Sequence, residues 1–161
     1  MVQKVDELSK QQDGSALDEI DKRVLRVYQN DASISYKELG DLVSLPPSSV
    51  FDRVKRMRKA GIIKTIIPLL DMKSLSLNTT AWLFIDTDSD CDEVCEKLSK
   101  NPNVLEVHEI AGQYDILIKI KARNNSDYHE IAERISRIPG IRDTFSTISL
   151  RTVKEDIRPK I

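Results

Sequence analysis

The sequence predicts an α+β chain in two parts, a winged helix-turn-helix followed by a ferredoxin-like βαββαβ sandwich. Three observations predict it. Apolar residues follow a helical spacing from Leu17 to about Leu70, they become strand-like from about Asn78, and that second stretch repeats itself at an offset of 37 residues. At 161 residues, 40 % hydrophobic and 32 % charged, the chain suits one medium domain or two small ones with a charged surface.

The first helix is predicted in LDEIDKRVLRVYQN, where Leu17, Ile20, Val24, Val27 and Tyr28 share a face. Asp18, Glu19 and Asp21 fall in its first turn, where the helix dipole favours negative charge. A shorter helix, SYKELGDLV, points Tyr36, Leu39, Leu42 and Val43 inward. Gly40 within it weakens a helix by about 1 kcal/mol against Ala, which suggests close approach of a neighbour. Ser44-Leu45-Pro46-Pro47 leaves room only for a sharp turn. Pro47 suits a first helical position, where the amide hydrogen it lacks would be unpaired anyway. It also holds Pro46 extended. The double proline thus ends one helix and aims the next.

The third helix, Ser48 to about Ala60, buries Val50, Val54 and Met57. Ser48, Asp52, Lys55 and Lys59 lie roughly opposite, with Ser49, Arg53 and Arg56 along one flank. From Ser48 to Lys64 six cations face one acid, in a chain whose net charge is −1. Two short helices joined by a tight turn, the second one basic, form a signal for double-stranded DNA as partner. Phosphates reward such a local patch through counterion release. Ser48, Ser49, Asp52, Arg53, Lys55, Arg56 and Lys59 are the candidate DNA-binding residues. Arg53 and Arg56 suit bidentate contact with guanine, and Lys55 and Lys59 suit backbone phosphate. The run IIKTIIPLL after Gly61 is expected to form the wing strand and to end at Pro68.

In the second part, TTAWLFIDT, DCDEVCEKLSK and VLEVHEI read as strand, helix and strand. DILIKIKA, DYHEIAERISR and IRDTFSTISL repeat them, so that Leu83 matches Ile120 and Val94 matches Ile131. Asp90 with Glu93, and Asp127 with Glu130, resemble capping boxes. Two helices cover one face of the sheet. Trp82 and Phe84 make the other face apolar as well, which calls for a second subunit in a two-fold dimer.

Other chemistry finds little support. Cys91 and Cys95 share a helix stripe with Val94 and Leu98, and no matching His spacing suggests a metal. The loop holding Asp86, Asp88, Asp90 and Asp92 lacks the glycine and closing glutamate of a calcium loop. No cofactor and no enzymatic activity are expected, since there is no phosphate-cradling glycine loop or nucleophile–base pair. No apolar run reaches the roughly 20 residues that span a bilayer. The polar start MVQKVDELSKQQDGS reads as neither signal peptide nor anchor, so no membrane association and a cytoplasmic location are expected. The boundaries are expected as a flexible extension at 1–15, the DNA-binding part at 16–66, a linker at 67–77, the sandwich at 78–153 and a tail at 154–161.

The motifs LDEIDKRVL, ISYKELGDLVSLPPSSVFDRVKRMRKAGIIK, AGQYDILIKI and IPGIRDTFSTISL, in this order, resemble the Lrp/AsnC family of transcription regulators, also called feast/famine regulatory proteins. The resemblance covers about Leu17 to Leu150. It implies that the sandwich is a RAM domain, which pairs as homodimers that often assemble into octamers, a tetramer of dimers. It also implies binding to palindromic DNA near promoters and a small effector, commonly an amino acid, held at interfaces between dimers. The turn AGQYD, joining the two inner strands of the repeat, matches the effector turn. Its Gly112, Gln113, Tyr114 and Asp115 are the candidate effector-binding residues, with Thr144, Ser146 and Thr147 of the last strand as less secure partners. Gly112 permits unusual backbone angles, and Asp115 suits an ammonium group. One departure is clear: family members usually carry Ser or Thr where this chain has Pro46. An architectural DNA-coating protein and an ACT-like regulatory subunit of a metabolic enzyme are the alternative readings.

Overall fold

The computed structural model describes residues 17–161; the expected N-terminal extension lies outside them. The described residues up to Pro68, together with Asp156–Ile161, form one compact unit, and Leu69–Glu155 form a second.

The first unit is helical. Helix α1 spans Glu19–Tyr28 behind Asp18, whose carboxylate accepts from the Asp21 amide at 2.6 Å while Asp21 accepts from the Asp18 amide at 3.2 Å. This reciprocal box satisfies two amides that a helix start otherwise leaves unpaired. Helix α2, Tyr36–Val43, starts on the same device built from Ser35 and Glu38. Helix α3, Pro47–Lys59, has no side-chain cap; Pro46 is extended with ψ 143° and Pro47 is the first helical residue. Val24, Leu25, Tyr28, Leu39, Val43, Val50, Val54 and Met57 make the core.

Two inward assignments shift. Leu25 joins the core, whereas Leu42 is 63 % exposed. Leu42 sits one residue before buried Val43, so the 100° step of the helix carries it off the buried face. The turn between α2 and α3 is compact. Ser44 takes a left-handed conformation and the Leu45 amide donates to the Gly40 carbonyl at 2.9 Å. A Cβ on Gly40 would lie 2.5 Å from the Leu45 carbonyl oxygen, so close packing is the reason for glycine there.

Past α3, Gly61 has φ +73°, and the Ile62 amide donates to the Met57 carbonyl at 2.9 Å, a left-handed stop for the helix. The expected wing strand does not follow: among the described residues no strand occurs between Gly61 and Asn78. An extended segment needs a neighbouring strand for its amides, and Pro68 offers none of its own. The tail also gains a place. Arg26 Nε donates to the Ile161 carbonyl at 2.8 Å, Arg158 donates to Asn30 Oδ1 at 2.8 Å, and Ile161 packs against the helical core.

The second unit is a four-stranded antiparallel sheet, β1 Thr79–Thr87, β2 Val104–Glu109, β3 Ile116–Ala122 and β4 Ile141–Ile148, in the order β2-β3-β1-β4. Helices α4, Cys91–Ser99, and α5, Asn125–Ser136, complete the βαββαβ order. Ala81, Leu83 and Ile85 stand opposite Ile120, Ile118 and Ile116, and with Val94, Leu98, Ile131 and Ile135 they form the buried layer. The repeat therefore places equivalent residues in one core. The turn AGQYD joins the edge strand β2 to the central β3 rather than two inner strands.

Neither expected capping box of this unit forms. Asp90 caps α4 through the Asp92 amide, and Glu93 pairs with Lys97 instead. Helix α5 starts earlier, with Asn124 as cap, which leaves the Asp127 carboxylate to bind the amide and guanidinium of Arg123, each at 2.8 Å.

Candidate nucleic-acid interface and effector turn

Helix α3 is held from below by Val50, Val54 and Met57 and from the side by charge. Arg53 Nη1 lies 2.7 Å from Asp18 Oδ2 and 2.7 Å from Asp21 Oδ1, and Arg56 Nη2 lies 2.5 Å from Asp21 Oδ2. Asp21 is 1 % exposed. A carboxylate out of water needs such partners, because an unpaired buried charge is costly. Hydrogen bonds from Arg53, then from the Asp21 amide, hold the Asp18 carboxyl below the usual range. The hydrogen bonds that Arg53 donates to the carboxylates of Asp18 and then Asp21 raise its pKa above the ordinary value.

The two arginines expected to read bases are turned toward α1 in this structure. Their guanidinium groups pair with carboxylates of Asp18 and Asp21 and so tie α3 to the start of α1. Arg58 also turns back, donating to the Tyr28 hydroxyl at 3.3 Å. Arg23 donates to the Val43 carbonyl at 2.8 Å and ties α1 to the end of α2.

Ser48, Asp52, Lys55 and Lys59 are exposed and Ser49 is half-buried. Lys55 and Lys59 make no ion pair with any described carboxylate. One further residue joins this face. Phe51 is 44 % exposed, meets Tyr36 edge-on at 5.4 Å, and lies 5.8 Å beneath the Lys55 ammonium. A large apolar side chain left out of the stripe Val50, Val54 and Met57 was the sequence signal for it.

The predicted effector residues do not converge within one chain. Gly112 and Gln113 are exposed, a Cβ on Gly112 would meet nothing within 4 Å, and its φ lies outside the left-handed region. The unusual backbone expected there is thus absent. Tyr114 stacks on Phe145 at 6.2 Å and lies 5.6 Å from Phe84, so three rings gather on the open face of the sheet. The Asp115 carboxylate accepts from the Thr87 amide at 2.9 Å. Thr147, opposite Trp82, shares the open face, whereas Thr144 and Ser146, opposite Ile85 and Leu83, lie on the helix side. There the Tyr128 hydroxyl donates to Ser146 Oγ at 2.7 Å.

Burial raises the thiols of Cys91 and Cys95, which stay unpaired. Among the described residues no three His, Cys, Asp or Glu side chains gather as metal ligands, and no helix is long and apolar enough to cross a membrane.

The Lrp/AsnC ligand binding domain family matches residues 80–159, and the winged helix-turn-helix DNA-binding family matches residues 17–64. The HTH-type transcriptional regulator FL11 of Pyrococcus horikoshii is 31 % identical over 140 residues, covering 86 % of this chain and 93 % of its own. The chain belongs to the Lrp/AsnC family. Like its relatives it is a helix-turn-helix DNA-binding transcriptional regulator and not an enzyme. AsnC of E. coli superposes with a TM-score of 0.81 at 26 % identity, over 88 % of this chain and 97 % of its own. The Neisseria meningitidis regulator NMB0573, in complex with L-Met, superposes at 0.82 with 25 % identity, over 88 % and 95 %. The α+β order of a helix-turn-helix followed by a sandwich is thus that of Lrp/AsnC regulators.

Proposed function

We propose that this regulator binds palindromic promoter DNA in the cytoplasm as a dimer or a higher oligomer such as an octamer, and that a small effector such as an amino acid modulates it. The observation that carries the DNA part is α3 itself. Its outer face keeps Ser48, Lys55 and Lys59 exposed while Arg53 and Arg56 fasten its flank to buried Asp21. Two such helices on a dimer enter successive major grooves about 34–36 Å apart. Ser48 and Ser49 contact phosphate or base edges near the helix start, where amide hydrogens favour anions. Asp52 accepts from a cytosine amino group and the Phe51 ring meets a thymine methyl. Lys55 and Lys59 hold phosphate.

Dimerisation is supported by the rings of Phe84, Tyr114 and Phe145, which form an apolar patch on the open sheet face. The effector reading rests on Gly112, Gln113, Tyr114 and Asp115, with Thr147 on the same face as Tyr114; the related Neisseria regulator is known in complex with L-Met. Thr144 and Ser146 contribute from a second copy or not at all. The functional boundaries 16–66, 67–77 and 78–153 accompany this reading. Selection of binding sites from genomic fragments, repeated with each amino acid, tests it. A few palindromes whose occupancy changes with one amino acid are expected; continuous coverage without preference would favour an architectural protein.

A further inference from the structure

The second unit holds a cavity of about 290 Å³ that is distant from the effector turn. Its walls are the segment Leu69–Asn78, the start of β1, the end of β3 and the stretch 149–155. That volume is near the lower end of small-ligand pockets. Asp115 and Lys121 stand at opposite ends of β3, roughly 20 Å apart at the rise of a strand.

Lys121 lines this cavity and is 8 % exposed. Its ammonium makes no hydrogen bond or ion pair with any described residue. The contrast with Lys119, on the same face two residues away, is informative. Lys119 is balanced by Glu106 at 3.1 Å and Glu155 at 3.2 Å. Burial alone would lower its pKa, but the two carboxylates raise it overall. Lys121 has no such counter-charge. The two acids that line the cavity are already engaged: Asp71 accepts from Ser74 Oγ at 2.6 Å and from the Lys73 amide at 3.1 Å, and Glu155 serves Lys119. Arg151, also in the lining, makes no ion pair among the described residues. Thr80, directly opposite Lys121 in the sheet, adds a hydroxyl.

Lys121 and Arg151 thus bring to the cavity two positive charges that no described carboxylate offsets, and an oxyanion there would be held by charge-assisted hydrogen bonds. We propose that this cavity binds a small molecule through an oxyanion group, phosphate or carboxylate, with the Lys121 ammonium as its main contact and Arg151 as the second. The site is independent of the effector turn and of the DNA-binding face.

Calorimetric titration of the full chain with inorganic phosphate, and separately with succinate, in a chloride buffer tests this. Saturable binding of at least one of them is expected, and which one identifies the group. Lys121→Met should weaken it tenfold or more, while the ligand-free variant melts no lower than the parent. Arg151→Ala, at an exposed position, should weaken it as well without affecting the fold. The proposal is overturned if neither ion binds the parent protein more tightly than about 10 mM, or if Arg151→Ala and any folded Lys121→Met protein bind as the parent does.

Discussion

Arg53 Nη1 sits 2.7 Å from Oδ1 of Asp21, a carboxylate that water scarcely reaches. The pair joins α3 to α1. Arg53→Ala should therefore lower the stability of the helical unit by roughly 2 kcal/mol, and Asp21→Ala by roughly 3 kcal/mol, because each leaves a partner uncompensated. Arg53→Lys should rescue only in part, since the shorter side chain must bring its ammonium to the place where Nη1 now meets both carboxylates. Denaturant melts and base-substituted operators check this together. Unchanged stability with an altered base preference would return Arg53 to the role of a reader.

Gly40 gives a second prediction. Alanine usually favours a helix, yet Gly40→Ala should destabilise by about 1–3 kcal/mol. The added methyl meets the Leu45 carbonyl oxygen at 2.5 Å, and the turn must open to admit it. A thermal melt equal to or above that of the parent would contradict the close packing of this turn.

On the proposed function, the exposed lysines should make separable contributions to DNA affinity. Lys55→Ala and Lys59→Ala should each reduce the slope of log affinity against log salt by about 0.9. Both should weaken specific and non-specific duplexes alike. Phe51→Ala should instead act on specific sites, and replacing thymine by uracil there should cost the parent protein more than the variant. Binding titrations across a range of chloride concentrations give both readings.

The Asp127 carboxyl has its pKa lowered to about 2, first by the hydrogen bond from the Arg123 guanidinium and then by the Arg123 amide. A depressed folded value means that its stabilisation is complete above the unfolded value of about 3.9 and is lost as pH falls towards about 2. Acid titration by carboxyl NMR should find a midpoint near that value. In Arg123→Ala it should rise towards the ordinary range.

The core stripes were legible because they obey a short period. Val50, Val54 and Met57 follow the helix, Ala81, Leu83 and Ile85 follow the strand, and the offset of 37 residues announced the second βαβ unit. The partners of Arg53 and Arg56 were not legible, since Asp21 is 32 and 35 residues away and only packing of α1 on α3 brings them together. For the same reason the six cations between Ser48 and Lys64 overstated the free charge. The wing was misread because IIKTIIPLL has strand composition, and composition does not supply a pairing strand. Asp90 caps α4 as expected, without Glu93 closing a box, whereas the cap of α5 falls at Asn124 and not at Asp127, because Asn and Asp side chains near that start compete for the same amides. Nothing in RPKI announced that Ile161 packs on the helical core.

Because Asp21 depends on Arg53 and Arg56 together, α3 is not an interchangeable cassette. A graft that brings in a donor sequence with new outward residues would strand this acid unless the donor keeps arginine at both positions. Retargeting the regulator to another operator thus calls for redesign at 48, 51, 52, 55 and 59, with 53 and 56 left untouched.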